Sequence, residues 1–184
     1  MNKKILQATS LLFFSLVFSL CKKDKGIKIE SERESGSTIS LRNFTRDSFD
    51  KDGVKISKLT AEESFIFFDE NRTVFYSLVF DQFKDGKFES SLKGDRGEVN
   101  HTTKKLNVNG NIVLNTVDHK RLEAEELLYD IDEQTLVSDK SVIVNSRGTT
   151  IRGIGLRADK NLNKVTILKP TAISKEGNPL EKNK

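Results

Sequence analysis

Few side chains in this sequence can do chemistry, and their spacing decides which chemistry is open to them. Cys21 is the only cysteine, so neither an internal disulfide nor a Cys-rich zinc site can form. His101 and His119 are the only histidines, and both fall in stretches that read as polar turns, with no Ser or Cys nucleophile framed around them. Gly153-Ile-Gly155-Leu-Arg-Ala158 fits the G-x-G-x-x-A dinucleotide fingerprint. That fingerprint works only where a helix follows a parallel strand, and here DKNLNK and a further strand follow. Asp130-Ile-Asp132-Glu133 has the acidic spacing of a calcium loop but lacks the loop's length, its glycine and its terminal glutamate, so it reads as a solvated turn. No G-x-S-x-G, H-E-x-x-H or P-loop is present. The expectation is a protein that is not an enzyme and carries no cofactor or metal.

The elements that position these residues begin with a separate N-terminal object. Lys3 and Lys4 precede an apolar run, Ile5 to Leu20, and Cys21 and the charged KKDKG follow it. This is the layout of a secretory signal. With Cys21 closing the run, it resembles a bacterial lipoprotein signal, in which the cysteine becomes the lipidated first residue of the mature chain. Leu20 departs from the small residue usual before that cysteine. An uncleaved membrane anchor is a second reading, because the run approaches the roughly 20 residues a span needs. A cleaved, soluble product is the third. Lipidation at Cys21 and an uncleaved anchor both leave the remainder tethered to a membrane outside the cytoplasm.

Charge gives little else. Of 184 residues, 31 are basic and 27 acidic, a net of +4, and removing Lys3 and Lys4 with the signal halves the excess. Charges of both signs are interspersed and no basic stripe exists, which argues against nucleic-acid binding. At 35% hydrophobic residues the chain is polar, yet its Val, Ile, Leu and Phe recur regularly enough to build a core.

Residues 21–40 are charged and poor in apolar side chains and read as a flexible stalk. From Leu41 the chain alternates apolar and polar residues between Asp/Asn/Gly turns, the pattern of half-buried strands. Residues 121–129 are helix-forming in composition, but their place in a repeat argues for a strand. That repeat comprises segments 59–80, 92–114, 122–144 and 151–173. Each opens on Leu or Ile, with a small residue two positions on (Ala61, Gly94, Ala124, Gly153), then a polar turn and an apolar strand start at Val74, Leu106, Leu136 or Val165. Each unit is therefore a hairpin, and the small residue marks a corner or bulge where bulk does not fit. A parity shift at the corner puts Leu59, Ile66, Val74, Tyr76 and Leu78 inward in the first unit. Single hairpins are marginal in water, so the units must stack into a folded sheet pair or an open β-roll. Residues 174–184 read as a disordered tail.

The phenylalanines are lopsided. Three lie in the signal and nine between Phe44 and Phe88. The two readings are a thick apolar end of the core and an apolar surface for a partner or lipid.

The order of these units resembles the OstA/LptA/LptC β-jellyroll superfamily. The similarity lies in Gly110-Asn111-Ile112-Val113, Leu122-Glu-Ala124-Glu-Glu-Leu127-Leu-Tyr129-Asp130, Val142 and the Gly153-Ile-Gly155-Leu156 turn. The segment from Phe44 through Asp52-Gly53 to Leu59-Thr60-Ala61 is most similar to LptC, the membrane-anchored periplasmic component of lipopolysaccharide export. The resemblance covers about residues 41–173 and implies an all-β, open β-jellyroll (a β-taco) of stacked hairpins behind an N-terminal anchor. It implies lipopolysaccharide as ligand, taken from an inner-membrane ABC transporter and passed to an LptA-like bridge protein through the C-terminal sheet edge. It places the protein on the periplasmic face of the inner membrane. The candidate groove is Ile66, Tyr76, Leu78, Val99, Val108, Ile112, Leu127, Tyr129, Val142 and Leu156. Two departures stand out: LptC proteins usually anchor by a transmembrane helix, whereas here the apolar run ends at Cys21 in the layout of a lipoprotein signal, and no Trp follows the early glycine, Ile56 being nearest in position. The alternative is a surface lipoprotein using its β-array as a structural or adhesive module.

Overall fold

The computed structural model describes residues 34–175; the signal, Cys21, most of the stalk and residues 176–184 lie outside the described part. Nine strands follow one another: β1 (Ile39–Phe49), β2 (Lys55–Phe67), β3 (Arg72–Lys84), β4 (Lys87–Asn100), β5 (Lys105–Thr116), β6 (Arg121–Asp130), β7 (Thr135–Ser146), β8 (Thr149–Asp159) and β9 (Val165–Lys175). They pair antiparallel in chain order, so the sheet is one meander with β1 and β9 as its edges. It does not close into a barrel. The fold is the open β-jellyroll expected from the sequence, and the stretch rich in helix formers is β6. Each repeat unit is a hairpin: β2–β3, β4–β5, β6–β7 and β8–β9.

The strands are long because each serves two walls. Midway along, their pairing slips: between Lys93 and Arg96, Asn109 and Ile112, Ala124 and Leu128, Ser138 and Ser141, and Arg152 and Gly153. A bulge bends a strand and re-aims its side chains. Five aligned slips fold the sheet across its middle, and the two halves of each strand face each other. The small residues sit at this fold. A Cβ on Gly94 would run into Val108 Cγ1, and one on Gly153 would lie 2.6 Å from the Lys169 carbonyl oxygen. Bulk is excluded at both corners by the neighbouring strand, β5 beside Gly94 and β9 beside Gly153.

The two walls enclose one apolar cluster. Phe75, Leu78, Leu92, Leu106, Val108, Ile112, Leu114, Leu122, Leu127, Tyr129, Leu136, Val142, Val144 and Leu156 are buried in it, with Phe44, Leu59, Phe80, Val99, Val165 and Ile167 packed alongside. Contacts cross from wall to wall: the Phe80 ring, near the β3–β4 end, lies 6.1 Å from Tyr129, near the β6–β7 end.

In the first unit the inward set differs from expectation. Val74 and Tyr76 pack with Phe65 and Phe67 in a second cluster, while Phe75 and Leu78 join the main one. Ser77, at a positive φ of 53°, stands between the two sets: the parity of the inward side chains changes across it while the pairing with β2 and β4 keeps its register, and Phe75 takes the interior place. The phenylalanines accordingly divide. Phe75 is in the core, Phe44 and Phe80 line it, Phe65 and Phe67 are buried outside it, and Phe49, Phe68 and Phe88 are exposed.

Candidate functional site

Folding the meander creates two rims. One carries the β2–β3, β4–β5, β6–β7 and β8–β9 turns; the other carries the β1–β2, β3–β4, β5–β6 and β7–β8 turns. They meet along a seam above the apolar interior, and the seam differs along its length.

Toward the C-terminal end it is clasped. Lys120, in the β5–β6 turn, is only 5% exposed. Its ammonium donates to Asn163 Oδ1 and to the Asn161 carbonyl oxygen (3.4 Å) on the opposite rim, and pairs with Asp118 at 2.7 Å. Glu89 at the start of β4 accepts from Asn161 Nδ2 at 2.8 Å and pairs with Lys160 at 3.1 Å. Leu162, held at φ 54° in the β8–β9 turn, is buried in the main cluster beneath these groups. A buried ammonium is tolerated only with such partners. The Asp118 carboxyl is held below its ordinary range by hydrogen bonds from Lys120 and Thr116.

Toward the N-terminal end the seam is open over a cavity of about 270 Å³. Its walls are Leu59, Phe75, Phe80, Val99, Leu106 and Ile131, and its rim carries Arg46, Ser48, Ser57, His101 and Lys104. His101 Nε2 lies 2.8 Å from Thr73 Oγ1. Partial burial, and then the charge of Arg46, push the His101 pKa down, so the ring is neutral at neutral pH. Deeper in, burial pushes the Tyr129 phenol up to about 12, against a hydrogen bond with Gln82.

Of the sequence-derived groove residues, Leu78, Val108, Ile112, Leu127, Tyr129, Val142 and Leu156 are buried together in the main cluster, and Val99 packs against it. Ile66, half-buried, pairs with Ile39 and Thr73 at the end of β2. Tyr76 belongs instead to the second cluster, its ring edge-on to Phe65 at 5.9 Å. The cavity walls Phe75 and Phe80, the rim cations Arg46 and Lys104, and the clasp were not legible in the sequence. A buried lysine has the same letter pattern as a surface one, and rim residues adjoin only after the sheet folds. Gly153 to Ala158 lie within antiparallel β8 with no helix after them, and Asp130 Oδ1 caps its own turn through the Glu133 amide.

These features define an open β-jellyroll whose apolar interior lies under a partly opened seam. A solved structure of the same fold is LptH of Pseudomonas aeruginosa, described as the LptA-homologous periplasmic component of its lipopolysaccharide transport device. It matches at a TM-score of 0.51 and 12% identity over 64% of this chain and 92% of that one. The model of the LptC family, lipopolysaccharide-assembly, LptC-related, matches residues 8–174, and the chain belongs to that family. No curated protein matches the sequence. Among the described residues no helix is long and apolar enough to cross a membrane.

Proposed function

We propose that this protein is the membrane-anchored periplasmic component of a lipopolysaccharide exporter, a conduit that performs no chemistry. Family membership supports the transport role. The observation that carries the mechanism is the folded meander itself, an apolar interior bounded by two walls, with edge strands β1 and β9 that each have a strand partner on one side only among the described residues. Acyl chains can replace side-chain contacts inside while sugars stay in water, and exposed edges can pair with edges of like domains. The β1 edge would meet the periplasmic domain of the inner-membrane ABC transporter. The β9 edge would meet an LptA-like bridge, with Pro170, which lacks an N–H, limiting pairing at one point. In this reading residues 1–20 are the signal, a lipidated Cys21 is the tether to the periplasmic face of the inner membrane, 21–40 is the stalk, 41–173 is the jellyroll and 174–184 is the tail.

Photo-crosslinking residues placed at Leu127 and Leu156, with Tyr76 as the outer-face control, test the conduit in an exporting strain. Lipopolysaccharide adducts at the first two and none at Tyr76 support it; adducts at neither interior position refute it. Mass spectrometry of the mature N-terminus tests the tether, with an acylated Cys21 as the expected result. A pull-down on the tagged protein should bring the transporter's membrane subunits with it.

A further inference from the structure

The two halves of the seam are built differently. The C-terminal half is held shut by the Lys120 and Glu89 contacts over a buried leucine, and insertion there would strand Lys120 without its partners. Among the described residues the N-terminal half has no such clasp, and aromatic and aliphatic walls lie directly beneath it. At the mouth of that cavity stand two basic side chains from opposite rims, Arg46 from β1 and Lys104 from the β4–β5 turn. No carboxylate pairs with Arg46 among the described residues, and its chain neighbour Asp47 pairs with Lys55 at 2.6 Å. Lys104 reaches Asp132 at 3.6 Å, with both side chains more than half exposed (58% and 63%), a pair that water and salt weaken and a ligand can replace. Neutral His101 and the hydroxyls of Ser48 and Ser57 complete a rim of donors.

We propose that this open stretch of the seam is the port at which an anionic amphiphile enters the interior, its acyl chain passing between Leu59, Phe75 and Phe80 while Arg46 and Lys104 hold its phosphate. The proposal rests on reading the interior as a lipid conduit, and adds where the lipid inserts and which end of it is recognised. Charge complementarity selects the ligand. Two facing cations above an apolar slot suit a phosphate on a hydrocarbon chain. An uncharged lipid leaves the rim unmatched, and a free phosphate leaves the slot empty. The clasp sets direction: a chain inserted beside β1 reaches the interior without breaking the Lys120 and Glu89 contacts.

The test uses the full-length chain reconstituted in phosphatidylcholine vesicles. The probe is a long-chain alkyl phosphate with a diazirine on the chain, matched by the corresponding alcohol, with inorganic phosphate as competitor and adducts mapped by mass spectrometry. Alkyl phosphate should label Leu59, Phe75 or Phe80. The alcohol should label about tenfold less, as should the phosphate probe on Arg46→Ala/Lys104→Ala. Both substitutions are at exposed rim positions and leave the buried cluster intact, and an unchanged thermal melt verifies this. Unchanged labelling of that variant, displacement of the probe by inorganic phosphate alone, or labelling confined to Val142 and Leu156 would each overturn the port. The last of these leaves the conduit reading standing. No label on any interior residue overturns both.

Discussion

The corner at Gly94 gives the sharpest test of how the sequence folds the sheet. Its φ is in the ordinary range, so alanine there suffers no backbone strain. The obstacle is a side chain: the new Cβ would overlap Val108 Cγ1, while the next atoms, Gly110 O at 3.6 Å and Ile112 Cγ1 at 3.7 Å, are at normal contact distance. Val108 is fully buried and has no room to retreat. Overpacking of this kind costs about 1–3 kcal/mol, partly offset by the about 0.4–1 kcal/mol that losing a glycine takes from the unfolded chain's entropy. Gly94→Ala should therefore destabilise by about 1–2 kcal/mol. Val108→Ala alone removes buried methyls and should cost about 2 kcal/mol. In the Val108→Ala background the clash is gone, so Gly94→Ala should become neutral or slightly stabilising, a coupling of about 1–2 kcal/mol. Urea denaturation of the four proteins measures the cycle. If Gly94→Ala costs the same in both backgrounds to within about 0.5 kcal/mol, the corner is not set by close approach of β4 and β5.

Three further outcomes are expected. Lys120→Met should lower stability by about 2 kcal/mol through lost charge-assisted hydrogen bonds. Hydrogen exchange should then accelerate in the β5–β6 and β8–β9 turns while β2 and β3 stay protected; uniform acceleration would mean the clasp is not local. In a Tyr76→Phe background Tyr129 is the only phenol, and phenolate absorbance should titrate near 12 rather than at the ordinary 10.0. Because the folded pKa is raised, the stability tied to the neutral phenol is full below pH 10.0 and drains away toward pH 12, so the stability difference produced by Tyr129→Phe should change only in that window. Phe65→Ala should cost about 3–5 kcal/mol, since Phe65 is only 2% exposed; a loss under about 1 kcal/mol would show that the second cluster is not packed in solution.

The local grammar of this protein is written in its sequence. Alternation specified the strands, because side chains on a pleated strand point to opposite faces in turn. The recurring small residues marked the corners, because a repeat that needs close approach at one place must put a small residue there every time. The order of those units also sufficed to identify the family. The helix formers of β6 lie in a strand because β5 and β7 offer ladders on both sides, which an isolated helix there would lack.

Other assignments depend on local backbone conformation or on residues distant in the chain. The face to which Val74 and Tyr76 belong turned on the left-handed Ser77, a position whose letter carries no sign of positive φ. Lys120, Glu89 and Asn161 are scattered polar residues until the sheet folds across its middle and sets their rims together. Arg46 and Lys104 come to one cavity the same way. Periodicity reports a residue's relation to its own strand. Which rim residue of another strand faces it is fixed only by the fold at the corners, and so the interior was readable in the sequence while its clasp and its open port were not.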